Sequence, residues 1–213
     1  QSGETMDTLM AVRHAKAAGG RVLAICNTNS STIPRESDAV LYTHAGPEIA
    51  VASTKALLTQ IIAVYLIGLH LGQVNGSLKD TEVCDLYKEL LELPGKLEQI
   101  LETVEPLREL TRTFAQNNTV LFLGRNIGYP VALEGALKLK ELAYIHAEGF
   151  AGGELKHGPI ALIDQGTPVI AILPAGREHS LDEKMLSNIQ EVKARGARVI
   201  VIAEEGAHVE GAE

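Results

Sequence analysis

The sequence predicts an α/β fold of two related halves, each a parallel sheet flanked by helices, joined by a helical connector. Short apolar runs of strand length alternate with stretches of helical periodicity, a pattern typical of parallel sheets covered by helices. Glycine and proline mark the junctions between them. The predicted strands are 21–26, 39–42, 119–123, 168–173 and 197–202.

The predicted helices fall between these strands. The first follows an opening loop and ends at a pair of glycines. The strand at 21–26 is apolar enough to be buried on both faces, and the polar segment 27–37 predicts a loop. The predicted helices are 5–18, about 49–71, one that contains Glu134 to Glu141, and 181–194.

The segment from about Leu78 to Gln116 has leucines at helical spacing, broken at Pro94-Gly95, and predicts a connector rather than a third domain. The series that follows partly repeats the first one, which predicts related halves, with a shared generic pattern as the alternative. We expect the N-terminal end to be truncated, because the loop at Gln1 lacks the strand that should precede it. The predicted domains are 1–77, 78–116 and 117–213.

Composition narrows the class of protein. With 46% hydrophobic and 22% charged residues, the chain resembles ordinary globular proteins. The formal net charge is -8, and no basic run could neutralise a nucleic-acid backbone, so we expect no nucleic-acid partner. Cys26 and Cys84 lack metal-ligand spacing, and we expect buried thiols in a reducing compartment, the cytoplasm. The apolar stretch Ile61 to Leu71 predicts a buried helix too short to span a membrane.

The opening loop, Gln1 to Thr5, places the hydroxyl groups of Ser2 and Thr5 on either side of Gly3 where a helix begins. Helix N-termini present unpaired N–H groups, and glycine lets the backbone approach an anion, so this pattern favours phosphate. The alternative is an ordinary helix cap by Ser2. A second hydroxyl-rich helix start, Val51 to Lys55, strengthens the prediction of a small phosphorylated ligand.

Two further segments carry groups that can move protons. On a helix, Glu134, Lys138 and Glu141 would share one face, with a salt-bridged surface helix as the alternative. His157 lies in the segment Gly152 to Pro159, whose glycines and proline predict a fixed, non-regular backbone. A histidine there can exchange protons near neutral pH, and a purely structural histidine is the alternative.

Together these segments resemble the sugar isomerase (SIS) domain family, and within it the isomerase half of the glutamine–fructose-6-phosphate aminotransferases. Gln1 to Thr5 is similar to the family's phosphate loop, and the segments 51–56, 133–141 and 153–159 follow in the family's order. The resemblance implies two SIS halves. It also implies conversion of fructose 6-phosphate and ammonia to glucosamine 6-phosphate by ketose–aldose isomerisation, with no metal or organic cofactor.

The resemblance implies a role for each candidate residue. Glu141 would be the general base that moves a proton between C1 and C2, and Lys138 would assist it. His157 would help to open the sugar ring from the neighbouring subunit of a homodimer. The phosphate would be held by Gln1, Ser2 and Thr5, and Val51 and Ser53 would contact the same ligand.

The same resemblance implies parts that these residues do not contain. The family has a glutaminase domain, which releases the ammonia, and a C-terminal tail whose lysine forms a Schiff base with the ketose. We therefore expect the 213 residues alone to be catalytically impaired.

Other functions remain open from the sequence. A non-catalytic sugar-phosphate-binding SIS module would need the phosphate loops but not Glu141, Lys138 and His157 together. Another sugar-phosphate isomerase or deglycase would share the fold. A Rossmann dehydrogenase is disfavoured, because no G-x-G-x-x-G follows a predicted strand.

Overall fold

The computed structural model of the protein describes residues 1–112, 116–173, 179–207 and 209–212. These residues form two compact units, 1–102 and 103–213, each with its own parallel sheet. The predicted class, α/β with parallel sheets flanked by helices, is confirmed. The division lies inside the segment 78–116 that the sequence predicts as a connector, of which 113–115 fall outside the described residues.

The first unit opens with helix α1 (Met6–Ala17), which packs against a two-stranded parallel sheet through Leu9 and Val12. The strands β1 (Leu23–Cys26) and β2 (Ala39–Tyr42) pair over their whole length. Leu23 is half exposed, so the predicted burial of this strand on both faces is wrong at its first residue.

A short helix, α2 (Thr32–Glu36), interrupts the segment 27–37 that was expected to be a loop. Its first turn is held from elsewhere in the chain. The N–H of Thr32 donates to Glu4 Oε1 at 2.8 Å, and the N–H of Ile33 donates to the carbonyl of Gly3 at 2.9 Å. The sequence of the segment itself carries no signal of these partners, which explains why local periodicity missed the helix.

Three helices complete the first unit: α3 (Lys55–Val74), α4 (Asp80–Leu91) and α5 (Leu93–Leu101). The second, α4, buries none of its residues, and Cys84 on it is exposed, so the expectation of a buried thiol is wrong there. Cys26 at the end of β1 is buried as predicted.

Helix α3 differs from its prediction in its bounds and in its burial. It starts six residues later than expected, at Lys55, but runs for 20 residues to Val74. By length and composition it could cross a membrane, with a mean hydropathy of 1.6, and only 11% of its most apolar stretch is buried. The expectation that this helix is buried is therefore wrong, and its apolar stretch is longer than the expected 61–71. Length and composition are weak evidence for a membrane span, since core helices of soluble proteins pass the same test.

The second unit is built on four parallel strands in the order β4-β3-β5-β6. The sequence does not predict the strand β4, because it mixes polar and apolar residues and contains no apolar run. It forms through pairing with β3 along six residues, a case of tertiary context overriding propensity. In chain order, the elements are α6 (Val104–Arg112), β3 (Thr119–Gly124), α7 (Gly128–Ala143), β4 (His146–Ala151), 3-10 helices Gly152–His157 and Pro159–Leu162, β5 (Pro168–Ile172), α8 (His179–Ala194) and β6 (Arg198–Ile202).

The central strand β3 separates two clusters of core residues. Val120 and Phe122 pack with Ala132 and Ala136 of α7. The alternate residues of β3 pack with α8, and this second cluster includes Leu121, Leu123, Met185, Ile189 and Val192. Because side chains alternate along a strand, the two helices cover opposite faces of the sheet.

Helix α7 approaches the sheet closely because glycines line the contact. A Cβ atom added at Gly124 would lie 2.6 Å from the amide nitrogen of Tyr129 and closer still to the carbonyl oxygen of Gly128. Both of these are backbone atoms, which cannot rotate away. The end of β3 and the start of α7 are therefore packed at a spacing that only glycine permits.

Gly124→Ala should lower the free energy of unfolding by about 1–3 kcal/mol, because the added methyl group forces β3 and α7 apart. Urea denaturation followed by circular dichroism measures it. Gly95→Ala in α5 is the matched control, because an added Cβ there meets no atom within 4 Å. It should leave stability unchanged or raise it by up to about 1 kcal/mol, through the higher helix propensity of alanine. Equal losses for the two variants would contradict the close packing.

Candidate functional site

The opening loop is held in place by the segment between β1 and α2. The carbonyl of Gln1 accepts hydrogen bonds from the N–H and the hydroxyl of Thr28, at 3.3 and 3.2 Å. Gly3 has a φ of 71°, and a Cβ there would clash with the Ser31 hydroxyl and lie 2.8 Å from the Cys26 sulfur. Only glycine fits both constraints, so the loop has a defined conformation ahead of α1.

The two hydroxyl groups of the loop have different partners. Ser2 Oγ accepts the N–H of Glu4 at 3.2 Å, which makes a local turn before the helix. Thr5 is the N-cap residue of α1, and its side chain makes no capping hydrogen bond. The alternative that Ser2 caps the helix is therefore wrong. The Thr5 hydroxyl and the first N–H groups of a 12-residue helix remain able to contact an anion.

Ser53 and Val51 lie in the loop that precedes α3. Val51 is exposed, whereas the Ser53 hydroxyl is buried and has no hydrogen-bond partner among the described residues. A buried hydroxyl without a partner is costly, and such groups in native proteins commonly bind water or a ligand. The position of this hydroxyl therefore favours a binding role for the loop.

Glu48 fixes the loop that carries these two residues. Its carboxylate accepts the Thr54 hydroxyl at 2.7 Å, the Thr54 N–H at 3.2 Å and the Ala56 N–H at 3.0 Å. These hydrogen bonds, the one from Ala56 first, lower the pKa of Glu48. The sequence analysis missed this residue, because a carboxylate six residues before an N-cap has no recognisable spacing.

Lys138 on α7 bridges two carboxylates. Its Nζ atom lies 2.8 Å from Glu141 Oε2 and 3.0 Å from Glu134 Oε1. The side chain of Lys138 is 21% exposed and those of the two glutamates about one-third exposed, so water screens these pairs only in part. The hydrogen bond to Glu141, followed by Glu134, raises the pKa of Lys138, which stays protonated at neutral pH.

The position of this bridge depends on how α7 packs against the sheet. Ala132 and Ala136 are buried against the sheet, and a Cβ added at Gly135 would lie 2.8 Å from the Phe122 ring. The opposite face of the helix carries the charged residues, which stand three and four positions apart and so lie above one another. A cation between two carboxylates can orient one of them as a proton acceptor and can itself donate a hydrogen bond to a substrate oxygen.

His157 is exposed at the end of the 3-10 helix Gly152–His157, which follows β4 directly. Gly158 next to it has a φ of 147°, so the backbone turns sharply there. The expected non-regular backbone is wrong for 152–157, which form the 3-10 helix. Among the described residues, no hydrogen bond or ion pair links His157 to the Lys138 bridge, or the opening loop to Val51 or Ser53. The structure thus brings together Glu134, Lys138 and Glu141.

Comparison with known proteins gives consistent results. The sequence model of the SIS domain family matches residues 1–69 and 113–208. The chain is 67% identical over 207 residues to glutamine–fructose-6-phosphate aminotransferase (isomerizing) of Streptomyces coelicolor, covering 97% of this chain and 34% of the relative. The enzyme of the same name from Corynebacterium diphtheriae is 64% identical over 208 residues, covering 97% and 33%. The chain thus spans about a third of the length of these curated relatives.

Solved structures agree on the fold. The C-terminal domain of glucosamine-fructose-6-phosphate aminotransferase from Francisella tularensis matches all of this chain and 60% of that one, with a TM-score of 0.94 and 39% identity. Tagatose-6-phosphate ketose/aldose isomerase from Escherichia coli matches 98% of this chain and 56% of that one, with a TM-score of 0.73 and 21% identity. At that identity the second likeness shows the fold alone.

Glu48→Gln should destabilise the protein at neutral pH, because both carboxylate oxygens accept hydrogen bonds from the loop, whereas an amide has a single accepting oxygen and no charge. The folded-state pKa of Glu48 is lowered, so its contribution is present above the unfolded pKa of about 4.3 and is lost as pH falls through the folded value. The stability difference between wild type and variant should therefore shrink between pH 7 and pH 3. Urea unfolding at several pH values measures it.

The exposed Glu98 in α5 provides the control, as Glu98→Gln removes a carboxylate that makes no hydrogen bond within the described part of the chain. Its stability should match that of wild type at neutral pH. A Glu48→Gln difference that stays constant over the whole pH range would show that the carboxylate charge does not hold the loop.

Proposed function

The chain belongs to the SIS domain family, and from that membership we propose that it is the isomerase part of a glutamine–fructose-6-phosphate aminotransferase. In this proposal it binds fructose 6-phosphate and converts it, with ammonia, to glucosamine 6-phosphate and water. The single observation that carries the catalytic part is the Lys138 bridge between Glu134 and Glu141. The identity of 67% to a relative of that name supports the choice of substrate.

Glu141 is the proposed general base. An aldose–ketose interconversion moves one proton between adjacent carbons, and a single carboxylate can remove it from C1 and return it at C2. The negative charge that develops on the substrate oxygen requires a nearby donor. Lys138 is protonated, is hydrogen-bonded to Glu141 and can supply that donor, so the two residues form a coupled acid–base pair.

The opening loop and the loop before α3 are the proposed phosphate and sugar contacts. Gln1, Ser2 and Thr5 belong to a loop with a glycine-fixed backbone at a helix start, which suits a phosphate group. Ser53 offers a buried hydroxyl without a partner among the described residues. Val51 is proposed to contact the same ligand through its exposed side chain.

Further parts of the proposal concern the assembly. His157 is proposed to act in the site of a neighbouring subunit, which makes the active unit a homodimer. A glutaminase domain elsewhere in the full-length chain would supply ammonia, and the protein would be cytoplasmic. We also propose that 1–77 and 117–213 act as the two SIS halves around the connector 78–116.

Glu141→Gln in the full-length protein should lower the rate of isomerisation by about 100- to 10,000-fold, because the amide cannot accept the proton. The rate of fructose 6-phosphate conversion is measured directly, and ligand binding is measured in parallel by calorimetry. Glu98→Gln on the exposed face of α5 is the matched substitution and should leave the rate unchanged. A wild-type protein that binds the sugar phosphate without turning it over would instead be a binding module, and retained turnover in Glu141→Gln would remove this residue from the base role.

Mixing two inactive variants tests the role of His157 across subunits. If a site combines Glu141 of one chain with His157 of the other, a mixed dimer of Glu141→Gln and His157→Ala chains contains one intact site. Random exchange should then restore about a quarter of the wild-type rate, since about half of the dimers are mixed and each has one working site. Dimers are exchanged by mild dissociation and assayed for turnover. A mixture as inactive as either parent would place both residues in the same chain's site.

A further inference from the structure

A polar cavity of about 240 Å³ opens at the carboxyl edge of the four-stranded sheet. Arg125 directly follows β3, and Gly152 directly follows β4, so both lie where these parallel strands end. Ligands of parallel α/β sheets bind outside the carboxyl ends of the strands. The 3-10 helix after β4 and helix α8 provide the rest of the lining, which comprises Arg125, Gly152, Gly153, Lys156, Lys184, Ser187, Asn188 and Glu191.

Positive charge exceeds negative charge in the lining. Arg125, Lys156 and Lys184 face one carboxylate, that of Glu191, which pairs with Lys156 at 2.9 Å. Lys184 has no ion pair or hydrogen bond in the parts of the chain that the structure describes. Two cations thus remain for an anion, and a dianion would balance them.

Arg125 is oriented by a buried amide. Its Nε atom donates to Asn188 Oδ1 at 2.9 Å, and Asn188 is only 4% exposed. Within the described ranges, the two Nη groups of Arg125 have no hydrogen-bond partner. The guanidinium is therefore fixed by one nitrogen while its remaining donors are available, an arrangement that suits recognition of a phosphate.

Gly152 makes room for this arrangement. A Cβ there would lie 2.7 Å from Asn188 Oδ1 and 3.1 Å from Arg125 Nε. Any larger residue would disturb the hydrogen bond that orients the guanidinium. The backbone at the start of the 3-10 helix after β4 therefore approaches the Arg125–Asn188 pair as closely as glycine allows.

Glu191 adds a second kind of polar group. Its Oε1 atom interacts with Lys156 and accepts the Ser187 hydroxyl at 3.4 Å, while its Oε2 atom is buried and has no partner among the described residues. A buried carboxylate oxygen can only accept, so it requires a donor. A hydroxyl group on the ligand would satisfy it.

We propose that this cavity is a second anion site, which binds a small hydroxylated phosphate monoester. Arg125 and Lys184 contact the phosphate group, and Glu191 Oε2 accepts a hydroxyl group of the same ligand. The volume is below the roughly 300–1,000 Å³ typical of sites for drug-sized ligands, which suits a small ester. None of these residues takes part in the proposed isomerisation, so the site is additional to it.

The test uses the full-length protein with Ser2→Ala and Thr5→Val, which weaken the opening loop as a phosphate site. Isothermal titration with inorganic phosphate should still show one equivalent bound per chain. Adding Lys184→Gln should weaken that binding about 10- to 100-fold, the loss expected for one hydrogen bond to a charged group. Lys88→Gln is the matched control, because it removes an exposed lysine on α4 that does not line the cavity.

Two results would overturn the site: no phosphate binding in the doubly substituted background, or equal weakening by Lys184→Gln and Lys88→Gln. A second titration compares fructose 6-phosphate with inorganic phosphate. Glu191→Gln should reduce the preference for the ester, and an unchanged preference would remove the hydroxyl contact from the proposal. Fructose without the phosphate should not bind in the background, and binding as tight as that of the ester would overturn the anion assignment.

The outcome is separable from that of the proposed function. Lys184→Gln alone should leave the isomerisation rate of the full-length protein unchanged, because it does not touch the Lys138 bridge. If the wild-type protein shows no turnover while phosphate still binds through Lys184, the proposed reaction fails and the second site stands. If turnover is normal and the titration shows no binding of phosphate, the second site is refuted and the proposed reaction stands.

Discussion

The bridge from Lys138 to Glu134 and Glu141 is the interaction on which the catalytic reading of this chain depends. It places a cation between two carboxylates on one helix, at distances of 3.0 and 2.8 Å. The same ion pairs on a fully solvated helix would contribute little to stability. Here the three side chains are only partly exposed, and the helix that carries them is packed on a buried parallel sheet. That packing holds a common surface pattern in a fixed position, as the proposed acid–base pair requires.

Helix α7 can pack this closely on the sheet because the residues at the contact are small. Alanine and glycine on the inner face of α7, together with Gly124 at the end of β3, let the helix backbone lie close to the sheet. The strands β3 and β4 end at the same edge of this sheet, where Arg125 and Gly152 follow them. Because the strands are parallel, their carboxyl ends lie at the same edge of the sheet, and the polar groups that follow them come together there.

Much of this architecture could be predicted from periodicity, because the elements that bury apolar faces leave a pattern in the sequence. Strands β2 and β5 and the helix α1 are of this kind. The elements that local sequence patterns did not predict are those held by residues far away in the chain. Helix α2 is held by hydrogen bonds from the opening loop, and β4 is a strand without an apolar run that is held by its pairing with β3. Among site residues, spacing revealed the charged face of α7, whereas Glu48 and the pair Arg125–Asn188 require three-dimensional contacts that no local pattern encodes.

The most direct test of the central claim is a crystal structure of the full-length protein with fructose 6-phosphate bound. The account predicts that a carboxylate oxygen of Glu141 lies within about 3.5 Å of C1 or C2 of the open-chain sugar, with Lys138 still bonded to the same carboxylate. A bound sugar whose C1 and C2 both lie beyond reach of Glu141 would contradict it.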